Sequence, residues 1–334
     1  MTTLATLVGH EEPKARMRRT LASGRLASTY LFVGPEGVGK RTFALGLARA
    51  LLCRATSDSS LDACGKCDSC RMLDAGSHPD LLLAEKPGGK STLPLELFIG
   101  PADKRHKEGL CHDLALRPMV AERRVAIIDD ADALSIESAN ALLKTLEEPP
   151  PRSLLVLIGT SLARQLPTIR SRCQVVRFAS LSPAEVAAVL TLPGLDVEPA
   201  EASELAERSA GSVSEALAAA DGEALQELGE VHTCFESAVF APDRFTAVID
   251  SVVKAAGTAP AARRRTLHRA VRVGIDRWRR ELAGGGAEAA LASLDALLDA
   301  EAAIGRNANQ ATVTQRLAQR LWEASLSGGS GDRR

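Results

Sequence analysis

One glycine-rich turn between two apolar runs constrains this chain more than any other stretch. Tyr30 to Val33 is a short apolar run suited to a buried strand. Gly34 to Thr42, GPEGVGKRT, follows it, and Thr42 to Leu52 has the composition of a helix. A strand feeding a glycine loop that opens a helix is the layout of a phosphate-binding P-loop, G-x-x-x-x-G-K-[ST]. Gly34, Gly37 and Gly39 let the backbone bend so that its N–H groups line an anion pocket, and Lys40 would reach the outer phosphates. The next position should carry a hydroxyl to hold Mg²⁺, and here it is Arg41. Thr42 brings a hydroxyl one residue late, about 100° further round the helix. The loop keeps a phosphate cradle and lacks its metal ligand. The competing reading is a glycine turn that binds nothing.

The first half of the chain repeats this alternation. Strands are expected at Tyr30–Val33, Asp80–Ala84, Arg124–Ile128, Leu154–Gly159 and Gln174–Phe178, several of them short apolar runs of the kind found in parallel sheets. Helices are expected at Glu11–Ser23, Thr42–Leu52 and Ser135–Glu147, the last stopped by Pro149-Pro150-Pro151. Such an order predicts a doubly wound α/β domain over residues 1–179. Lys86 to Gly109, rich in Gly, Pro and Lys, reads as an exposed loop with a short strand or turn.

The pattern changes after Ser180. Ser182, Pro183 and Glu185 form a helix start, with serine as cap and proline in the first turn. Short helices are expected over 180–222 and an all-α domain over 223–326, followed by a disordered tail at 327–334. Aromatics make up only 3% of the 334 residues, and Ala and Leu supply the core instead, which favours helices. Leu267, Val271, Ile275, Trp278 and Leu282 recur at three- and four-residue steps on one helix, and Gly284-Gly285-Gly286 separates it from the next.

Cys64, Cys67 and Cys70 form C-x₂-C-x₂-C, with Cys53 eleven residues upstream. Four thiolates suit a tetrahedral Zn²⁺, and a site filled by protein would be structural rather than catalytic. The chain has no apolar stretch of membrane-spanning length and no leader-like N-terminus, so a cytoplasmic protein with reduced thiols is expected. Its net charge of −1 provides no general field for nucleic acid, so any DNA contact must be local or shared with partners.

A second phosphate-site signal lies at Val125 to Asp130, an apolar strand ending in two acids. In P-loop proteins Asp129 would present a carboxylate to Mg²⁺. Asp130 stands where ATPases place the glutamate that polarises water, one methylene shorter. Two acids that merely cap the next helix are the plainer reading.

These segments, in the order GPEGVGK, CGKCDSC, HPD at His78 to Asp80, IIDDADAL, NALLKTLEEPP and SRC at Ser171 to Cys173, resemble the delta-prime clamp-loader family of bacterial DNA polymerase III over residues 1 to about 220. The RNANQ segment at Arg306 to Gln310 resembles the family's last helix more weakly. The resemblance implies an AAA+ module, a helical lid and a helical collar. It also implies partners: delta and gamma/tau subunits in a hetero-pentamer that opens the sliding clamp on primed DNA. It places Arg172 as an arginine finger reaching the γ-phosphate of ATP on a neighbouring subunit. The alternative within the superfamily is an active gamma/tau-like motor, which also carries the four-cysteine knuckle. Arg41 in place of Ser/Thr, Asp130 in place of Glu, and Ser214 in place of the lid arginine all weaken hydrolysis and favour a subunit not catalytic on its own, with ATP or ADP binding left open. A zinc-knuckle nucleic-acid-binding protein is a third class, disfavoured because the knuckle lacks interleaved aromatics.

Overall fold

The computed structural model describes residues 3–57, 61–87, 92–195, 197–220, 222–237, 240–257, 260–283, 288–305 and 308–328. The chain divides into two units, Met1–Leu217 and Ala218–Arg334.

The first unit begins with α1 (Glu11–Ala22), β1 (Thr29–Val33), α2 (Lys40–Leu52), α3 (Asp68–Asp74) and β2 (Leu81–Ala84). It continues through α4 (Glu96–Ile99), α5 (Leu110–Ala115), β3 (Arg124–Ile128), α6 (Ile136–Glu147), β4 (Ser153–Gly159), α7 (Pro167–Arg170) and β5 (Gln174–Arg177). Helices α8 (Pro183–Leu190) and α9 (Pro199–Arg208) follow, and the unit ends within α10 (Val213–Ala220). All strand pairs are parallel, and the sheet order is β2-β3-β4-β1-β5. The expected α/β fold and its five strands are therefore present, with ends displaced by at most one residue.

Side chains alternate across the sheet with period two. Tyr30, Phe32, Val125, Ile127, Val156 and Ile158 face one way and pack with Met17 of α1 and Phe43, Leu47 and Leu51 of α2. Leu31, Val33, Ala126, Ile128, Leu155 and Leu157 face the other way and pack with helices including α5 and α6. Burial on both faces explains why these strands read as continuous apolar runs.

Two expectations need correction. Helix α2 starts at Lys40, not Thr42, because Gly39 is its N-cap. The described parts of residues 86–109 are not simply an exposed loop. Leu93, Phe98 and Ile99 are buried, and α4 forms there. The apolar side chains beneath one sheet face draw the segment in despite its glycine- and lysine-rich composition. Further along, the expected helix start holds: Ser182 caps α8 in a full capping box with Glu185, and Pro183 lies in the first turn.

The second unit contains α11 (Gly222–Glu236), α12 (Pro242–Ala255), α13 (Pro260–Ala283), α14 (Glu288–Gly305) and α15 (Gln310–Gly328). Leu267, Val271 and Ile275 of α13 lie in its core with Phe235, Phe245, Leu297 and Leu317. At its edge Glu301 receives His268 and Arg272, which hold its carboxyl down at about 2. The Gly284–Gly286 break, Arg306 and Asn307 of RNANQ, and tail residues 329–334 lie outside the described residues. No helix among the described residues is long and apolar enough to cross a membrane.

Candidate functional site

The carboxyl ends of β1, β3 and β4 converge on one cleft of about 520 Å³, where open α/β sheets bind ligands. The P-loop contributes Gly37, Gly39, Lys40 and Thr42, and the strand ends contribute Asp129 and Thr160. Helix α2 points its N-terminus into this space.

Geometry calls for glycine at all three loop positions, and at Gly34 a Cβ would fall 2.3 Å from the Phe178 carbonyl oxygen. Gly37 has φ +75°, and a Cβ there would fall 2.1 Å from Ser212 Oγ and 2.8 Å from Ser214 Cβ. Gly39, at φ +99°, turns the chain into α2. Of the serines above Gly37, Ser212 precedes α10 and Ser214 lies in its first turn, and Val213 N–H donates to the Gly37 carbonyl at 3.0 Å. Ser214, at the expected lid-arginine position, thus lies against the loop and brings no cation.

Lys40 is buried, and its ammonium donates to the carbonyls of Gly34 at 2.8 Å and Pro35 at 2.6 Å. Burial pushes its pKa below the ordinary lysine value, while Glu36, Asp132, Asp129 and Asp130 pull the other way. His10 is buried beside the loop and stands edge-on to Phe178. Its Nε2 lies 2.6 Å from the Val38 carbonyl, which can only accept, so Nε2 carries the proton. Burial lowers the pKa of His10 and keeps the ring neutral.

The residue in the hydroxyl position does more than omit a ligand. Arg41 Nε lies 3.3 Å from Asp129 Oδ2, and Nη2 donates to Glu85. Asp130 is paired with Lys86 at 2.9 Å. Asp132 accepts from Thr160 N–H at 2.7 Å, Thr160 Oγ1 at 2.5 Å and Gln165. Burial raises the pKa of Asp129, and neighbouring Asp130 adds to this, while Arg41 opposes it. A Mg²⁺ would have to enter beside a guanidinium and displace it from its carboxylate, so the residues present do not fit the metal that a complete P-loop holds. Glu85, Lys86, Asp132, Thr160 and Gln165 were not singled out in the sequence. Glu85, Lys86 and Thr160 follow strand ends, and that position was the available signal.

Arg172 lies elsewhere. Its backbone carbonyl accepts Thr29 Oγ1 at 2.7 Å, which fixes it at the start of β1. The P-loop follows the other end of that strand, roughly 16 Å away at the usual rise per residue. The guanidinium is one-third exposed and donates to Glu147 at 2.9 and 2.5 Å and to the Thr168 carbonyl at 3.0 Å. The structure therefore does not bring Arg172 together with Lys40 and Asp129.

The cysteines do come together. The sulfurs of Cys53, Cys64, Cys67 and Cys70 all lie within 4.8 Å of one another, with 3.9 Å between Cys53 and Cys67 and 4.0 Å between Cys64 and Cys70. Zinc–sulfur bonds in a tetrahedron require sulfurs about 3.8 Å apart, so this donor set fits that ion. The amides of Cys64 and Cys67 point at the Cys53 and Cys64 sulfurs, each at 3.4 Å. Burial opposes ionisation of Cys53, yet the Cys64 amide and other donors bring it down to about 6, whereas burial and the Cys67 thiol push Cys70 up to about 12. Four such thiols cannot all ionise without a cation among them. The HPD segment anchors this knuckle. His78 Nδ1 accepts the Asp80 amide at 3.1 Å, so Nε2 donates to Ser69 Oγ at 2.9 Å, and Ser69 donates to Leu52. Asp80 is fully buried and accepts the amides of Met119, Val120 and Ala121.

Comparison with known proteins adds to this picture. The family model described as DNA polymerase III, delta subunit, matches residues 9–182. A DNA polymerase III subunit delta' from Pseudomonas aeruginosa is 37% identical over 188 residues, 56% of this chain and 53% of its own length. The Bacillus subtilis subunit delta' is 33% identical over 164 residues, 49% of this chain and 46% of its own. DNA polymerase III subunit tau from Escherichia coli is 31% identical over 263 residues, 76% of this chain and 39% of its own. The chain thus spans about half or less of the length of these relatives. A solved DNA polymerase III gamma-subunit-related protein from Thermotoga maritima aligns with 93% of this chain and 99% of its own at 18% identity, with a TM-score of 0.48.

Proposed function

The chain belongs to the family described as DNA polymerase III, delta subunit, with delta' subunits among its relatives, and on that premise we propose that it is a delta-prime-like member of a clamp-loading assembly. In this reading its partners are delta and gamma/tau subunits, and the assembly opens a sliding clamp on primed DNA. Residues 180–222 serve as the lid, 223–326 form the collar through which subunits associate, and zinc holds the cysteine knuckle.

The position of Arg172 carries the reading. It sits at the opposite end of β1 from the chain's own P-loop, with its guanidinium reaching the surface. A planar cation there suits charge developing on phosphate bound by a neighbour. The chain's own cleft has Asp129 occupied by Arg41, and the residues at the second-acid and lid positions are Asp130 and Ser214. These features support a subunit that hydrolyses ATP negligibly by itself and supplies a catalytic arginine in trans.

The test is reconstitution with Arg172→Ala. Hydrolysis at the site it completes should fall by about 10³–10⁵, and clamp loading should fall with it. Unchanged clamp- and DNA-stimulated hydrolysis would rule out the trans role. A second reading, an active gamma/tau-like motor, is favoured by one observation: Lys40 and the loop glycines still frame an open cleft. Robust ATP turnover by the isolated chain, abolished by Lys40→Ala, would establish that reading instead.

A further inference from the structure

The acids that would hold a divalent cation in this cleft already have protein cations. Arg41 spans Asp129 and Glu85, and Lys86 holds Asp130. The Arg41 contacts use Nε and one Nη. A guanidinium has five N–H donors, so further donors remain for a phosphate oxygen. Arg41 also lies in the first turn of α2 directly after Lys40, where helix N–H groups favour an anion. We propose that Arg41 replaces the divalent metal, and that the cleft binds a nucleoside diphosphate free of Mg²⁺, with the guanidinium as a tethered counter-charge. This rests on the reading of the P-loop as a retained nucleotide cradle.

Charge selects the diphosphate. Lys40, Arg41 and Lys86 bring three positive charges, and Glu36, Glu85, Asp129, Asp130 and Asp132 bring five negative ones. A complete P-loop site neutralises the outer phosphates with a doubly charged metal bridging β and γ oxygens. Here one guanidinium, already shared between two carboxylates, takes that place. A γ-phosphate would add negative charge beside Asp129 and Asp130 with no metal to offset it. The α- and β-phosphates face the loop amides, Lys40 and Arg41, where the cationic groups concentrate.

The experiment is calorimetric titration of the full chain with ADP, in excess EDTA and in millimolar Mg²⁺, for wild type, Arg41→Thr and Lys40→Ala. Arg41 is about half exposed, so its replacement should preserve the fold, checked by thermal melting. For wild type, Mg²⁺ should leave ADP affinity unchanged or weaken it. Arg41→Thr restores the hydroxyl and frees Asp129, so Mg²⁺ should then tighten binding by about tenfold. Lys40→Ala should lose binding in both buffers. Wild-type affinity that rises more than about threefold with Mg²⁺, or the same metal response in wild type and Arg41→Thr, overturns the replacement alone. Wild type binding ADP in neither buffer overturns the nucleotide reading beneath it as well.

Discussion

The two ends of α2 can be compared directly. Its N-terminus carries Lys40 and Arg41, and its C-cap is Cys53 of the knuckle, about 20 Å along the helix axis. Each end gathers groups that suit a metal ion. At the C-terminal end four sulfurs lie within 4.8 Å of one another, and ionising them all requires a cation. At the N-terminal end the carboxylates are already paired with Arg41 and Lys86. The difference shows that a metal site is judged by whether its donors still need a cation, not only by which donors are present.

The largest test of the contrast is Cys70→Ser. Cys70 is fully buried at the knuckle's centre. Structural zinc supplies roughly 10 kcal/mol to domains that depend on it. The substitution should remove bound zinc, measured by metal analysis, and lower the melting transition by several kcal/mol equivalent. Wild-type protein purified without zinc and melting as before would collapse the distinction between the two ends.

The sequence made the knuckle legible because its donors are close in the chain, and x₂ spacing brings them to one point. The strands were legible because burial on both faces forces near-continuous apolar runs. The cleft was only half legible. Gly34, Gly37, Gly39 and Lys40 form a local pattern, but the pairing of Arg41 with Glu85 joins residues 44 apart in the sequence. No periodicity encodes that contact, which depends on β2 and β3 being neighbours in the sheet. The burial of Phe98 failed for a related reason: local composition signalled a loop, and tertiary packing decided otherwise.

A smaller effect sharpens the knuckle side of the comparison. His78→Ala leaves the Asp80 amide and Ser69 without their buried partner and should cost about 1–3 kcal/mol in denaturant unfolding. Burial keeps His78 neutral in the folded state by lowering its pKa. The unfolded chain therefore takes up a proton first as pH falls. Stability from this group is complete above the unfolded value of about 6.5 and declines as pH drops from there through the lower folded value. His78→Gln should flatten that part of the pH–stability profile. An unchanged profile would mean that the relay does not couple to folding.

The smallest stability effects belong to the arginines. Arg41→Ala should change unfolding free energy by no more than about 1 kcal/mol, because its ion pairs are partly exposed and screened. Arg172→Ala should do the same, since its Glu147 pair is also partly exposed. The two variants then part in the reconstituted assembly. Arg172→Ala should lower stimulated hydrolysis by orders of magnitude, while Arg41→Ala should leave it largely intact, because its effect is confined to this chain's own cleft. Melting curves that match while hydrolysis rates diverge would assign Arg172 to chemistry and Arg41 to local binding. If both variants lost hydrolysis equally, the cleft and the finger would have to act together, with nucleotide in the cleft setting the position of the turn between α7 and β5 that holds Arg172 against the start of β1.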